Sequence, residues 1–218
     1  MAEIDLMDRY PRSQRPIEER ARQITDAHRA IARRFDREFF DGDRLTGYGG
    51  YHYHPRFWTG TVERFRDHYG IRPGWRILDV GCAKGFLVHD LRRLIPGVDV
   101  RGVDISRYAL AHAHPEARPF LGQADCRKLP FDDDSFDLVI CINTVHNLER
   151  SECVEAVREI ERVSARHAYL VVDAYRNEEE RRRLFMWNLT ARTILHTAEW
   201  KGLFREAGYT GDYSWFAP

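Results

Sequence analysis

Short apolar runs that each end in an acidic residue carry the chemistry legible in this sequence. Ile77-Leu78-Asp79 leads into Val80-Gly81-Cys82-Ala83-Lys84-Gly85-Phe86, where small residues recur at every second position. This pattern reads as a buried strand, a tight turn and a helix start. Glycine in such a turn allows positive φ and close approach of a ligand, and the helix start offers unpaired N–H groups. Val98-Asp99-Val100-Arg101-Gly102-Val103-Asp104 repeats the pattern about 20 residues later, the separation at which such units set a carboxylate on a ribose hydroxyl pair. Phe120-Leu121-Gly122-Gln123-Ala124-Asp125 is a third run, and Ala168-Tyr169-Leu170-Val171-Val172-Asp173 ends in an acid at the same edge. Asp173 could bind an amine, and Arg176 beyond it a carboxylate or phosphate. The alternative for Arg176 is that it opens the solvated charge run through Arg183. The cradle is of a nucleotide type, but Gly81-x-Ala83-x-Gly85 is not the Gly-x-Gly-x-x-Gly of dinucleotide binding, and the Gly-Lys-Ser/Thr of a P-loop is absent.

At these residues the sequence resembles the class I S-adenosylmethionine-dependent methyltransferases, whose first motif is an acid followed by Gly-x-Gly-x-Gly. Ala83 stands at the middle glycine, and the turn is expected to survive if Ala83 keeps a negative φ. The resemblance covers residues 76–173. It implies S-adenosylmethionine as cofactor and S-adenosylhomocysteine as product, held by Asp79, Gly81, Cys82, Ala83 and Gly85. It places Asp104 and Ile105 at the ribose, Ala124 and Cys126 along the adenine, and Asp125 as acceptor for the adenine amino group. Asn143 would line the pocket. In Asn143-Thr144-Val145-His146-Asn147-Leu148 the resemblance implies a turn facing the transferred methyl group. His146 is then the candidate catalytic residue, because an imidazole titrating near neutrality can take a proton from the acceptor. A structural histidine holding a loop is the competing reading. The implied reaction is methyl transfer to nitrogen or oxygen of a small-molecule acceptor. Methylation of protein or RNA, a non-catalytic S-adenosylmethionine-binding regulator and a nicotinamide dehydrogenase are the alternatives. The missing pyrophosphate turn counts against the last.

The elements that must hold these residues are alternating strands and helices. The expected fold is α/β, a Rossmann-like doubly wound, mostly parallel sheet with helices on both faces and an N-terminal helical extension. After a helix starting near Thr197 only ten residues follow Gly208, so the usual terminal strand hairpin should be shortened to one strand. Residues 1–70 are read as a helical and aromatic lid segment and residues 71–218 as the cofactor-binding domain. Ile17, Ile24, Ile31, Phe35 and Phe39 share one face of a predicted helix over residues 16–40, with Glu18 and Arg22 placed to pair on the other. That face would pack on the domain or on a second subunit in a homodimer. Next comes Thr46-Gly47-Tyr48-Gly49-Gly50-Tyr51-His52-Tyr53-His54-Pro55-Arg56, a glycine-jointed loop whose Tyr48, Tyr51, Tyr53 and Arg56 can close over a ligand. Similar leaders occur in small bacterial methyltransferases of sugar and secondary metabolism. Tyr175 joins Asp173 and Arg176 as a candidate substrate contact, and Trp187 and Leu189 read as core or pocket wall. His52 and His54 without a third ligand do not make a metal site.

Composition agrees with one domain of this kind. The chain has 218 residues, 43% of them hydrophobic, and 34 basic residues balance 34 acidic ones. Neutral charge argues against a dedicated nucleic-acid surface. Residues 1–12 are charged, with no apolar signal region, and no run is long enough to cross a bilayer. Cys82, Cys126, Cys141 and Cys153 show no paired spacing and read as reduced residues of a cytoplasmic protein.

Overall fold

The computed structural model describes residues 1–11 and 16–218; Arg12, the end of the charged N-terminal stretch, lies outside them. Seven strands form one sheet: β1 (Arg76–Val80), β2 (Asp99–Asp104), β3 (Leu121–Gln123), β4 (Phe136–Ile142), β5 (Ser164–Tyr175), β6 (Leu195–His196) and β7 (Asp212–Phe216). The order is β3-β2-β1-β4-β5, with β7 beside most of β5 and β6 beside its last two paired residues. Every pairing in the sheet is parallel. The order reverses between β1 and β4, and the ligand crevice of an open α/β sheet lies at such a point, beyond the C-terminal strand ends. Asp79, Asp104, Asn143 and Asp173 all lie at those ends.

Helices cover both faces, as the near-continuous apolar strands require. On one side α4 (Pro55–Tyr69) and α5 (Phe86–Leu94) bury Val62, Phe65, Leu87 and Leu91 against Ile77, Val100, Tyr169 and Val171. On the other, α7 (Arg150–Arg162) and α9 (Thr197–Ala207) bury Val157, Ile160, Leu203 and Phe204 against Leu78, Val139, Leu170 and Val172. The alternation of Tyr169 and Val171 with Leu170 and Val172 is the period of two that a strand imposes. Two short connecting elements complete the order: α6 (Arg107–Ala111) after β2 and α8 (Glu178–Trp187) after β5.

The single expected helix over residues 16–40 is three short ones, α1 (Ile17–Ala21), α2 (Asp26–Ala32) and α3 (Arg37–Phe40). Local side chains make the breaks. The Thr25 hydroxyl accepts from the His28 N–H at 3.3 Å while the Thr25 N–H donates to the His28 ring, a reciprocal cap that starts a new helix. Phe35 then takes φ +50°, and the Asp36 carboxylate accepts from the Arg37 N–H at 2.8 Å. Glu18 meets Arg182 of α8 at 3.6 Å rather than Arg22. Ile17, Ile24 and Phe40 are buried within the chain itself, Ile24 together with Ala32 and Leu189.

Among the described residues, β6 and β7 both pair β5 in parallel at this edge, with no antiparallel hairpin. Helix α9 returns the chain to the start of the sheet, so β7 has to run parallel to β5, pairing Tyr169 with Asp212 through Asp173 with Phe216. N-terminal residues extend this edge: the Ile4 N–H donates to the Tyr213 carbonyl at 2.9 Å and the Tyr213 N–H to the Ala2 carbonyl at 3.0 Å. This covers a strand edge that would otherwise present unpaired backbone groups. Among the described residues no helix is long and apolar enough to cross a membrane.

Candidate active site

The turn after β1 is tied to β2 through backbone: the Gly81 and Cys82 N–H groups both donate to the Val103 carbonyl, at 2.7 and 3.0 Å. Gly81 takes φ +83° and Gly85 +73°. A Cβ on Gly81 would lie 2.0 Å from the Thr144 hydroxyl, so glycine is required there by the packing of the turn on residue 144. Ala83 does not keep a negative φ; it sits at +50°. Its N–H donates to the Asp104 carboxylate at 2.7 Å, a charge-assisted bond that holds the residue in this sparsely populated region.

Two carboxylates face each other across the ends of β1 and β2. Asp79 is 4% exposed, and among the described residues no group hydrogen-bonds its carboxylate. Burial, with the Asp104 charge beside it, pushes its pKa up to about 8. Asp104 is also raised by burial, although the N–H groups of Ser106, at 2.8 Å, and Ala83 oppose the rise. Asp125 lies just past β3 in an ion pair: Arg127 Nε donates to both its oxygens at 3.0 Å, holding the carboxyl below its usual range. Arg127 also reaches Glu152.

At the end of β4, Asn143 takes φ +53° and its N–H returns to the Val171 carbonyl at 2.9 Å. The turn that follows buries His146. Its Nδ1 accepts the Asp173 backbone N–H at 2.9 Å, and its carbonyl accepts from the Arg192 and Thr193 N–H groups, each at 3.0 Å. The engaged Nδ1 lone pair puts the proton of the neutral ring on Nε2. Burial lowers the imidazole pKa, against the pull of Asp173. In this arrangement His146 offers a donor; action as a base requires the bond to Asp173 to break. The Asp173 carboxylate accepts from the Asn188 amide, and its carbonyl accepts from Trp200 Nε1 at 2.9 Å.

The N-terminal segment roofs these strand ends. Lys84, 5% exposed in the middle of the glycine turn, donates to both oxygens of Asp41 at 2.7 Å and to the Tyr51 carbonyl at 3.0 Å. Tyr108 donates to the same carboxylate at 2.9 Å. Burial works against the charge on Asp41, but Lys84 and Tyr108 hold its pKa below the usual value. Tyr51 stacks on Phe86 at 4.9 Å and packs tilted against Tyr48 at 4.5 Å. Between roof and sheet lies a cavity of about 1220 Å³. Asp79, Gly81, Cys82, Ala83, Asp104, Ile105, Ala124, Asp125, Cys126, Asn143, His146, Asp173 and Arg176 line it, with Tyr48 and Tyr51. Gly85 caps α5 behind the turn.

Three sequence candidates lie elsewhere. Tyr53 donates to Asp90 at 2.6 Å, with its ring against His89 and His114. Arg56 is exposed, its guanidinium 4.8 Å over the Phe57 ring. Tyr175 packs on His196 at 5.6 Å.

A sequence profile of the methyltransferase domain matches residues 77–167. The match is to 91 of the 218 residues, and over them the chain is similar to a methyltransferase domain. The sterol 24-C-methyltransferase ERG6B of Gibberella zeae is 31% identical over 136 residues, covering 54% of this chain and 35% of that protein. The ubiquinone/menaquinone biosynthesis C-methyltransferase UbiE of Pseudomonas paraeruginosa is 29% identical over 157 residues, covering 68% of this chain and 56% of UbiE. Among solved structures, the YcgJ protein of Bacillus subtilis superposes with a TM-score of 0.55 at 23% identity, covering 67% of this chain and 66% of YcgJ. The chain thus spans from about a third to just over half of the length of these two curated relatives.

The methyl donor of class I methyltransferases is S-adenosylmethionine, and the residues present fit it. A buried carboxylate without a hydrogen-bond partner, Asp79, suits an ammonium group, and the carboxylates at the strand ends suit a cationic nucleoside that carries no phosphate. The methyltransferase motif did not reveal the roof. Lys84 occupies a variable position of the turn, and Asp41 lies 43 residues away in sequence. A lysine buried inside a glycine turn was the one signal available, since such a charge demands a partner. Arg33, Arg34 and Arg44, which also line the cavity, were hidden among the chain's many arginines.

Proposed function

We propose that the protein transfers the methyl group of S-adenosylmethionine to nitrogen or oxygen of a small-molecule acceptor. The observation that carries this reading is the gathering of the strand-end acids in one cavity beneath a segment fastened by Lys84 and Asp41. A cavity of about 1220 Å³ accommodates a nucleoside donor and a compact acceptor together. The sulfonium supplies an already activated methyl group, so no metal or covalent enzyme intermediate is required. Asp79 would hold the donor's ammonium, Asp104 the ribose hydroxyls and Asp125 the adenine amino group.

The remaining work is to hold the acceptor in line and to exclude water, and orientation of this kind supplies much of an enzymatic rate. His146 contributes as an orienting donor through Nε2, fixed by its bond to the Asp173 N–H. Tyr48 and Tyr51 close the acceptor side. The four unpaired cysteines support a reducing, cytoplasmic setting.

The test is incubation of the protein with methyl-labelled S-adenosylmethionine and a cell extract separated into small-molecule, protein and RNA fractions. Label is expected in the small-molecule fraction, and its His146→Ala-sensitive part should fall by about 10- to 100-fold. Label confined to protein or RNA would replace this reading with a macromolecular one.

A further inference from the structure

The roof of the cavity carries positive charge that the chain does not neutralise. Arg33, at the C-terminal end of α2, reaches the Ala191 carbonyl with Nη2 at 3.4 Å, while its Nε is buried without any hydrogen-bond partner. Arg34, its exposed neighbour, and Arg44 line the same cavity. Arg44 gives one hydrogen bond to the Tyr48 carbonyl at 2.8 Å. Among the described residues, none of these three guanidinium groups lies within 4.0 Å of a carboxylate.

Three other arginines on this cavity meet carboxylates: Arg127 meets Asp125 and Glu152, Arg176 meets Glu3 and Glu180, and Arg192 meets Glu149. Among the described residues, Arg33, Arg34 and Arg44 lack such a partner although the chain has as many acids as bases. A buried guanidinium N–H left without an acceptor is costly, and its natural partner is an anionic oxygen. The arrangement also polarises the cavity. The cradle side carries the acids, Asp104 and an Asp79 that a cationic donor would ionise, and the roof is left positive.

We propose that Arg33, Arg34 and Arg44 form an anion subsite that takes a phosphate or carboxylate group of the acceptor, leaving its nucleophilic atom directed toward the cradle. This rests on the methyl-transfer reading and narrows its acceptor to small anionic molecules. The guanidinium fork matches both oxyanions, which share the chemistry recognised here. Helix α2, which Arg33 ends, is anchored on residues 189 and 191, and Arg34 and Arg44 reach the cavity from its exposed rim.

The test is calorimetric titration of the protein with inorganic phosphate and, separately, with succinate, each at constant ionic strength, with and without saturating S-adenosylhomocysteine. Wild type is expected to bind at least one anion saturably. Arg33→Gln and Arg34→Gln should each weaken that binding by about tenfold, the loss of one charge-assisted contact. Arg72→Gln, a surface change outside the cavity, should leave it unchanged. Phosphate bound over succinate assigns a phosphorylated acceptor, and the reverse a carboxylate. Arg34 is exposed, so its replacement tests the subsite even if Arg33→Gln loosens α2. Absence of saturable binding of both anions, or equal weakening by Arg72→Gln, overturns the subsite. If the anions bind and S-adenosylhomocysteine does not, the methyl-transfer reading fails while the anion site stands.

Discussion

Asp79 is held far from the protonation state an exposed carboxyl would have. Its folded pKa of about 8 stands far above the model-compound value of 3.8. The folded chain therefore holds a proton that the unfolded chain releases, and this contribution to stability is lost as pH rises from about 4 to 8. Asp79→Asn should be more stable than wild type near pH 8 and lose the advantage near pH 4, measured by denaturant unfolding at both pH values. His146 has the opposite dependence. Its folded pKa is depressed below 6.5, so stability falls as pH drops below that value, because the unfolded imidazole takes up a proton the buried one resists. A His146→Gln variant should show a shallower acid decline than wild type, and an identical slope would contradict the burial of an uncharged ring. Ala83 tests backbone strain. At φ +50°, replacement by glycine removes a steric penalty that exceeds glycine's entropic one, so Ala83→Gly should stabilise by about 0.5–1 kcal/mol in equilibrium unfolding. The three strand-end acids were legible from the sequence because each closes an apolar run. The sign of φ at Ala83 was not, because it depends on the bond to Asp104 made across the sheet.

Among the elements, the parallel strands and their covering helices could be read because their apolar residues follow strand and helix periods directly. The N-terminal helix misled because the apolar spacing of residues 17–39 continues through two breaks, at Thr25 and at Phe35, that are set by side-chain caps. Thr25 and Asp36 are favoured helix-capping types, so the break was encoded, but the periodic pattern outweighed it. The direction of β7 was likewise fixed by where α9 leaves the chain, which a local pattern does not contain. The link between roof and cradle rests on one buried pair. Removing one partner, as in Asp41→Asn or Lys84→Met, should cost about 2–4 kcal/mol, because the other charge stays buried and unpaired. The double variant should recover part of that loss in a double-mutant cycle. In either single variant, residues 36–54 should be cut faster by protease under native conditions, while the strands stay protected.

At the scale of the whole molecule, the neutral net charge conceals a division. Carboxylates gather at the strand ends, and unpaired guanidinium groups gather in the roof above them. Composition alone averages the two away, so the neutral total argued only against a dedicated nucleic-acid surface and left the polarity of the cavity unread. The tertiary arrangement follows from the switch in strand order beside β1, where Asp79 and Asp104 are both buried; burial raises both pKa values, and the Asp104 charge adds to the rise at Asp79. The central claim is that this pair is the cradle of a cationic adenosyl donor. It is tested most directly by calorimetric titration with S-adenosylhomocysteine at pH 7, in two buffers of different ionisation enthalpy, using wild type and Asp79→Asn, with NADH as the competing ligand. The account predicts binding of S-adenosylhomocysteine and not of NADH, with release of up to one proton as the ligand's ammonium ionises Asp79, and no such release from Asp79→Asn. Binding of NADH alone, or S-adenosylhomocysteine binding with the same proton release in both proteins, would contradict it.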